Sequence, residues 1–454
     1  MLIIMFIGYF LLRKRGDKNT IYTGKDYVGI AKYFKGIGKD RQALGFYEKA
    51  VKIDPGNKEA NISLARYYDS LGQYDKAIES YKKVASKRGV FKKFFYDIGY
   101  IYYYKKGDNA NAAKYIEKYI DSLGGVCDNV GVHIILYDTY AKLGNFAKAR
   151  EHNKKIDSLC LKQGLIKKTY KEWKGQDVCG KTVLLRDNVG IGDIFCWLRF
   201  AKILKSQGAR VILETRKFLI PILTQSGCID QCFVIGQGKI PYFDYQVIIG
   251  KIASYFVKSE NDLKTDVPYM AADQGLINKW GDILSKDRNF KIGICWDPCQ
   301  YKDKLTGKVQ ENRRAMPFCY FLPLTKLKNV SLYSLQQVNG LEQLNGLPVY
   351  CKLKTFDKTF DKTHGSFSDT AAVMKNLDLV ITVDTSVAHL AGALGVPVWM
   401  LLPVVADWRW LSAKNKTALY PTMRLFRQSR LGDWESVMSD VYCQLCEVIK
   451  DINK

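Results

Sequence analysis

Two segments combine residue types and spacings suited to an anionic ligand and a proton transfer. In the first, Leu379 to Trp399, an apolar run ends in Asp384-Thr385-Ser386, and Val387 to Leu394 follows with helical spacing and His389 one turn inside. A strand that delivers small polar residues to a helix start leaves backbone N–H groups at the positive end of the dipole. There Thr385 and Ser386 can cap the helix and a diphosphate can bind. His389 would face back towards that loop, although a histidine on an apolar helix is also commonly a satisfied core group. In the second segment, Thr182 to Arg186 leads into Asn188-Val189-Gly190-Ile191-Gly192-Asp193 and then an amphipathic stretch with Phe195, Leu198, Arg199, Ala201 and Leu204. Gly190 and Gly192 let a ligand approach the backbone, and the Asp193 carboxylate can take a proton from an acceptor hydroxyl. Its plainer role would be to satisfy free N–H groups at the helix start.

Other motif-like stretches carry less. Gly175-Gln176-Asp177-Val178-Cys179-Gly180-Lys181-Thr182 has the spelling of a phosphate-binding loop. That loop needs a strand before it and a helix after it, whereas here a strand pattern follows directly, so the chemistry is not expected. Cys443 and Cys446 have no second Cys or His pair nearby, and the four histidines are dispersed at 133, 152, 364 and 389. No metal site is expected from these residues.

The elements that position both segments alternate short β-rich runs with amphipathic stretches, the pattern of a mainly parallel sheet covered by helices. Strands are expected near Thr182 to Arg186, Ala209 to Leu213, Gln231 to Ile235 and Tyr245 to Ile249, then Lys291 to Trp296, Val330 to Leu335, Leu379 to Val383 and Val396 to Leu401. They divide into two Rossmann-like halves, 174–285 and 286–454, with a cleft between strand ends. A last amphipathic helix from Asp433 to about Ile452 is expected to pack back across the halves.

Before residue 174 the chain repeats. Gly38, Gly72, Gly107 and Gly144 recur at spacings of 34, 35 and 37, each with an aromatic four residues earlier (Phe34, Tyr68, Tyr103, Tyr140) and an alanine five residues later (Ala43, Ala77, Ala112, Ala149). The glycine permits a tight turn between antiparallel helices and the alanine permits close helix approach. The pattern resembles the tetratricopeptide repeat, with about four copies in a domain spanning 24–173. The resemblance implies either a peptide-binding surface or a rigid spacer.

The chain of 454 residues is 47% hydrophobic and 25% charged, which excludes a disordered or fibrous class and fits two or three globular domains. A net charge of +25, denser before residue 174, fits an acidic partner, but no nucleic-acid recognition element accompanies it. Twelve cysteines without a regular framework fit a reducing, cytoplasmic setting. Residues 1–23 are a separate short segment: Met1 to Leu12 is apolar and followed by Arg13, Lys14 and Arg15, too short to span a bilayer but compatible with peripheral membrane contact through residues 1–15.

Asp384-Thr385-Ser386-x-Ala388-His389-Leu390-Ala391-Gly392-Ala393-Leu394-Gly395-x-Pro397-Val398-Trp399 is followed by Asp407-Trp408-Arg409-Trp410-Leu411 and by Tyr420-Pro421-Thr422-x-Arg424-Leu425-Phe426-Arg427-Gln428. With Gly190-Ile191-Gly192-Asp193, this sequence resembles the bacterial tetratricopeptide-repeat glycosyltransferases related to heptosyltransferases. It is similar at greater distance to the repeat-bearing protein O-linked N-acetylglucosaminyltransferases.

The resemblance implies a helical repeat domain followed by the GT-B pair of Rossmann-like domains. The expected activity is transfer of a sugar from a nucleotide diphosphate-sugar to a hydroxyl of a protein, peptide or glycan, with no metal and no further cofactor. It implies Asp193 as general base and Arg313 or Arg314 as the cation facing the departing diphosphate. Asp384, Thr385, Ser386 and His389 would form the donor loop, with Gln336 as a further phosphate contact. Cys196-Trp197, Ala315 and Gln337 depart from residues common in that family. A transferase fold that has become a non-catalytic scaffold or a nucleotide-sugar sensor is the alternative.

Overall fold

A computed structural model describes residues 22–85, 92–166, 170–298, 313–411 and 415–452. The apolar and basic start of the chain, residues 1–15, lies outside them. The chain forms two compact units, Met1–Thr139 and Tyr140–Lys454.

Helices come in sequential pairs in the first part: α1 (Gly24–Gly36) and α2 (Asp40–Ile53), α3 (Lys58–Ser70) and α4 (Tyr74–Ala85), α5 (Lys92–Ile101) and α6 (Asn109–Ser122), α7 (Val130–Lys142) and α8 (Phe146–Lys162). Gly38, Gly72, Gly107 and Gly144 make the four turns with φ of +73°, +73°, +65° and +75°, a left-handed region costly to any residue with a Cβ. Ala43, Ala77, Ala112 and Ala149 are each at most 2% exposed, as close helix packing requires. The expected helical repeat is therefore present. In the third copy α5 runs on as a π turn, Tyr102–Lys106, which holds one residue more than an α turn and matches the spacing of 35 there.

The division between the units falls within α7, so α8 belongs to the second unit, whereas the sequence places the end of the repeats at 173. The reason is local: Lys251 Nζ donates to Asp157 Oδ1 at 2.6 Å, and the ring of Phe146 meets that of Trp408 edge-on at 6.3 Å.

The second unit continues with two parallel α/β halves. The first holds β1 (Thr182–Arg186), α9 (Ile191–Ser206), β2 (Arg210–Thr215), α10 (Ile220–Thr224), β3 (Gln231–Val234), β4 (Tyr245–Ile248) and α11 (Ile249–Phe256). Helix α12 (Gln274–Leu284) leads to the second: β5 (Phe290–Cys295), β6 (Val330–Ser334), β7 (Leu353–Lys354), α13 (Ser368–Met374), β8 (Leu379–Val383), α14 (Ser386–Ala393), β9 (Val398–Leu402), β10 (Met423–Arg427) and α15 (Trp434–Ile452). The sheets run β3-β2-β1-β4 and β10-β9-β8-β5-β6-β7, all parallel. Read from β7, the second sheet has the Rossmann order, third-second-first-fourth-fifth-sixth. The order reverses between β1 and β4 in one sheet and between β5 and β8 in the other. Crevices open at such reversals, so the loops after β1, β5 and β8 are the ones placed to hold a ligand.

Strands β5, β6 and β8 bury Ile292, Ile294, Leu332, Leu379, Ile381 and Val383 in one core. Helix α15 was expected to pack back across both halves; its Trp434, Val437, Met438, Val441 and Leu445 join this core of the second half. Among the described residues no helix is long and apolar enough to cross a membrane.

Candidate functional site

The loop after β1 is clamped from its own sheet. Asp187 Oδ2 accepts from Thr215 Oγ1 and Arg216 Nε, both at 2.8 Å, and Oδ1 accepts from Arg216 Nη2 at 3.0 Å. Arg216 Nη2 also donates to the Val189 carbonyl at 3.1 Å, so one guanidinium fixes both ends of the approach to Gly190. Asp193 then does what a carboxylate at a helix start does: its Oδ2 accepts from Gly190 N at 3.2 Å.

Its other oxygen, Oδ1, takes a short charge-assisted hydrogen bond from Arg409 Nη2, and Arg409 Nη1 reaches Asp407 Oδ1 at 2.9 Å. The guanidinium lies 5.0 Å from the ring of Trp197, which stacks on Trp408 at 5.7 Å and 14°. Trp197 is thus the shelf on which Arg409 rests. Burial by itself would raise the Asp407 carboxyl, but Arg409 holds it below the ordinary carboxylate range. Burial likewise opposes the charge on Arg409, while Asp407 and Asp193 keep its proton bound well above the usual arginine value.

Facing this loop is the start of α14. Thr385 is the N-cap residue, but its hydroxyl pairs with Thr382 Oγ1 at 3.2 Å and makes no side-chain cap. The expected hydroxyl cap from Thr385 is therefore absent, because the end of β8 offers a nearer partner. The α9 and α14 starts meet at Gly192: a Cβ there would lie 2.9 Å from His389 Cδ2 and 3.5 Å from Ser386 N.

Asp384 is only 4% exposed, with Arg314 Nη1 at 3.9 Å from one oxygen and His389 Nε2 at 3.8 Å from the other. Burial raises its carboxyl above the ordinary range, against the pull of Arg314. His389 Nδ1 lies 2.9 Å from Tyr420 Oη, and the imidazole stacks on Trp410 at 5.2 Å. Burial, reinforced by Arg409, pushes His389 well below its ordinary value, so it is neutral near pH 7.

Asp193, Arg314, Asp384, Thr385, Ser386 and His389, far apart in sequence, share one neighbourhood with Gly190 and Gly192. Arg313 occupies the same turn as Arg314. Gln336 lies at the end of β6, but its carboxamide is engaged in the turn after β5. Oε1 accepts from Trp296 N at 3.0 Å, Asp297 N at 3.1 Å and Cys295 Sγ at 3.2 Å, and Nε2 donates to the Asp297 carbonyl at 2.7 Å. Gly175 to Thr182 runs directly into β1, with no helix to receive a phosphate.

Sequence reasoning gave no role to Arg409, Tyr420 or Arg199. Arg199 is fully buried in α9 and donates to the carbonyls of Cys196 (2.8 Å), Leu263 (2.8 Å) and Leu419 (2.9 Å) and to Tyr269 Oη (3.1 Å). A cation inside the apolar run Ile194 to Leu204 was a visible anomaly that could have marked it. Chemically, the site offers a carboxylate beside a hydrogen-bonded guanidinium, a second guanidinium, and helix N–H groups that no side chain caps. Among the described residues no group of three His, Cys, Asp or Glu side chains is placed to hold a metal ion.

Residues 46–79 match the tetratricopeptide repeat family model. Protein FlbA of Caulobacter vibrioides is 22% identical over 287 residues, 59% of this chain and 47% of that protein, so the chain spans about half the length of the curated relative it matches. Among solved structures, the Escherichia coli ADP-heptose lipopolysaccharide heptosyltransferase II is 12% identical, with 59% of this chain and 99% of that chain covered and a TM-score of 0.42. A glycosyl transferase family 9 protein of Veillonella parvula is 11% identical, with 59% and 91% covered and a TM-score of 0.39.

Proposed function

We propose that the second unit transfers a sugar from a nucleoside diphosphate-sugar to an acceptor hydroxyl. The observation that carries this reading is the meeting of Gly192-Asp193 with the uncapped start of α14, each loop standing at the order reversal of its own parallel sheet. One side supplies a carboxylate and the other supplies N–H groups and guanidinium groups, the two charges that such a displacement needs at opposite ends.

In the proposed step the acceptor hydroxyl gives its proton to Asp193 and its oxygen bonds to the anomeric carbon. The bond from that carbon to the diphosphate oxygen breaks, and the diphosphate leaves with the electron pair. Arg314, with Arg313 beside it, and the α14 N–H groups take up the leaving charge, so the reaction is read as needing neither metal nor resident cofactor. Asp384 and His389 line the donor side, while Gln336 shapes the turn beneath it without contacting phosphate. Arg409 orients Asp193. The repeats are read as the surface for a protein, peptide or glycan acceptor or for a partner. A reducing cytoplasmic setting is proposed from the cysteines, with peripheral membrane contact assigned to residues 1–15.

The test is thermal unfolding of the full chain against nucleoside diphosphates and nucleotide-sugars, followed by a transfer assay. A donor at a hundred times its dissociation constant stabilises the fold by about 2.7 kcal/mol. A selective shift that disappears in the Arg313→Ala/Arg314→Ala variant supports the reading. No shift across a broad panel overturns it in favour of a non-catalytic scaffold.

A further inference from the structure

His389 has one hydrogen-bond partner, on Nδ1, and a carboxylate facing Nε2 at longer range, and the two make unequal demands. Nε2 faces the Asp384 carboxylate at 3.8 Å, and Nδ1 faces Tyr420 Oη at 2.9 Å. The Tyr420 hydroxyl has one proton to give. Two alternative acceptors are poorer: Tyr269 Oη is farther away at 3.5 Å, and the buried Cys196 thiol offers only a weak sulfur acceptor. That oxygen already receives Arg199 Nη2 at 3.1 Å, and its own proton goes to the Phe195 carbonyl at 2.8 Å. The short contact to Nδ1 is therefore the favoured direction for the Tyr420 proton. With Nδ1 as acceptor, neutral His389 carries its proton on Nε2, aimed at Asp384. The opposite tautomer would turn a lone pair towards the carboxylate.

Tyr420 is held so that it has little freedom to do otherwise. Its ring lies over Gly392, one turn beyond His389 on α14, where a Cβ would come within 2.6 Å of the ring carbons. The Arg199 guanidinium covers the ring at 4.8 Å, and the tyrosine is fully buried. Gly392 in the α14 motif and Tyr420 in the segment that leads to β10 thus become halves of one fitting.

We infer that Tyr420 is a positioning residue that fixes His389 as the neutral Nε2–H tautomer, and that Gly392 and Arg199 set Tyr420 in place for that purpose. His389 then presents its Nε2 proton to Asp384. The charged groups packed around it are Asp384, Asp407, Arg409, Arg199 and Arg314, and the three arginines oppose a second proton on the ring. The bearing of this on catalysis rests on the transferase reading, whereas the tautomer does not.

Selective 15N labelling of histidine suits the question, since the chain has only four. The full chain is examined by long-range nitrogen–proton correlation, with His389→Gln assigning the signal. The expected result is a protonated Nε2 and an unprotonated Nδ1 for His389. In Tyr420→Phe that single pattern should give way to mixed tautomers while the other three histidine signals stay in place. A protonated Nδ1 in the unmodified chain overturns the inference, and so does a Tyr420→Phe spectrum that keeps the original pattern. If Tyr420→Phe does not fold, the spectrum of the unmodified chain still decides the tautomer. A confirmed tautomer with no donor binding anywhere in the nucleotide panel would reject the transferase reading and leave this inference standing.

Discussion

Gly192 lies against the edge of the His389 imidazole with no room for a side chain: a Cβ built on the glycine would stand 2.9 Å from Cδ2. The start of α9 and the start of α14 can approach this closely because the residue between them has no methyl group.

Gly192→Ala should therefore push the two helix starts apart. Overpacking of this kind costs about 1–3 kcal/mol. Denaturant unfolding should show that loss, and nucleoside diphosphate binding should weaken because Ser386 lies on the same contact. Unchanged stability and binding would mean that the loops meet less tightly than described.

Asp193 and Arg409 should respond differently to substitution. Asp193→Asn keeps the shape and the bond from Gly190 N but cannot take a proton, so transfer should fall by about 10²–10⁴-fold while donor binding survives. Arg409→Gln removes the partner of both Asp193 and Asp407. Breaking a fully buried pair costs about 3–5 kcal/mol, and less is expected here because Asp193 keeps 29% of its side chain exposed. A larger loss of stability in Arg409→Gln than in Asp193→Asn, which keeps the bond from Gly190 N but gives up the charge paired with Arg409, is the expected contrast, read by chemical denaturation.

The acid sensitivity of the fold should trace in part to His389. Its folded value is well below the unfolded one, so the unfolded chain binds a proton that the folded chain refuses. Stability is then lost as pH falls below about 6.5, by up to about 1.4 kcal/mol per pH unit. Asp384 works in the opposite sense: burial raises its carboxyl, so the folded chain takes that proton first and recovers part of the loss at more acidic pH. His389→Gln should flatten the decline between about pH 6.5 and pH 5. An unchanged slope would assign the sensitivity to another group.

Arg199→Met fills similar volume but leaves the carbonyls of Leu263 and Leu419 without their donor. Each orphaned buried acceptor costs about 1–3 kcal/mol, so the loss should exceed that of any single surface substitution. Arg199→Lys should recover only part, because one ammonium cannot reproduce the planar fork over Tyr420 and Tyr269.

Local pattern made much of the fold legible. The four turn glycines and their alanines have the φ values and the burial that their spacing requires, and β1 and β8 begin and end where their apolar runs do. Strand β10 was missed because the cations Arg424 and Arg427 interrupt the short apolar run Met423–Arg427 at the edge of the sheet and break the period of two. The site was legible where one loop carries it, as at Gly190 to Asp193 and Asp384 to His389. Arg409 and Tyr420 were not, since their roles arise from contacts made across 216 and 31 residues of sequence. Gln336 was placed at the correct strand end, but its partners are mostly backbone groups of the turn after β5, which no side-chain pattern reveals.

The attachment of α8 has a consequence for how such a chain can be varied. With Asp157 bonded to Lys251 of the first half and Phe146 set against Trp408 of the second, this helix ties together the ground on which Arg409 stands. The last helix is a foundation stone, and a recombination joint placed after it, at the apparent end of the repeats, would carry away a wall of the building it was meant to spare.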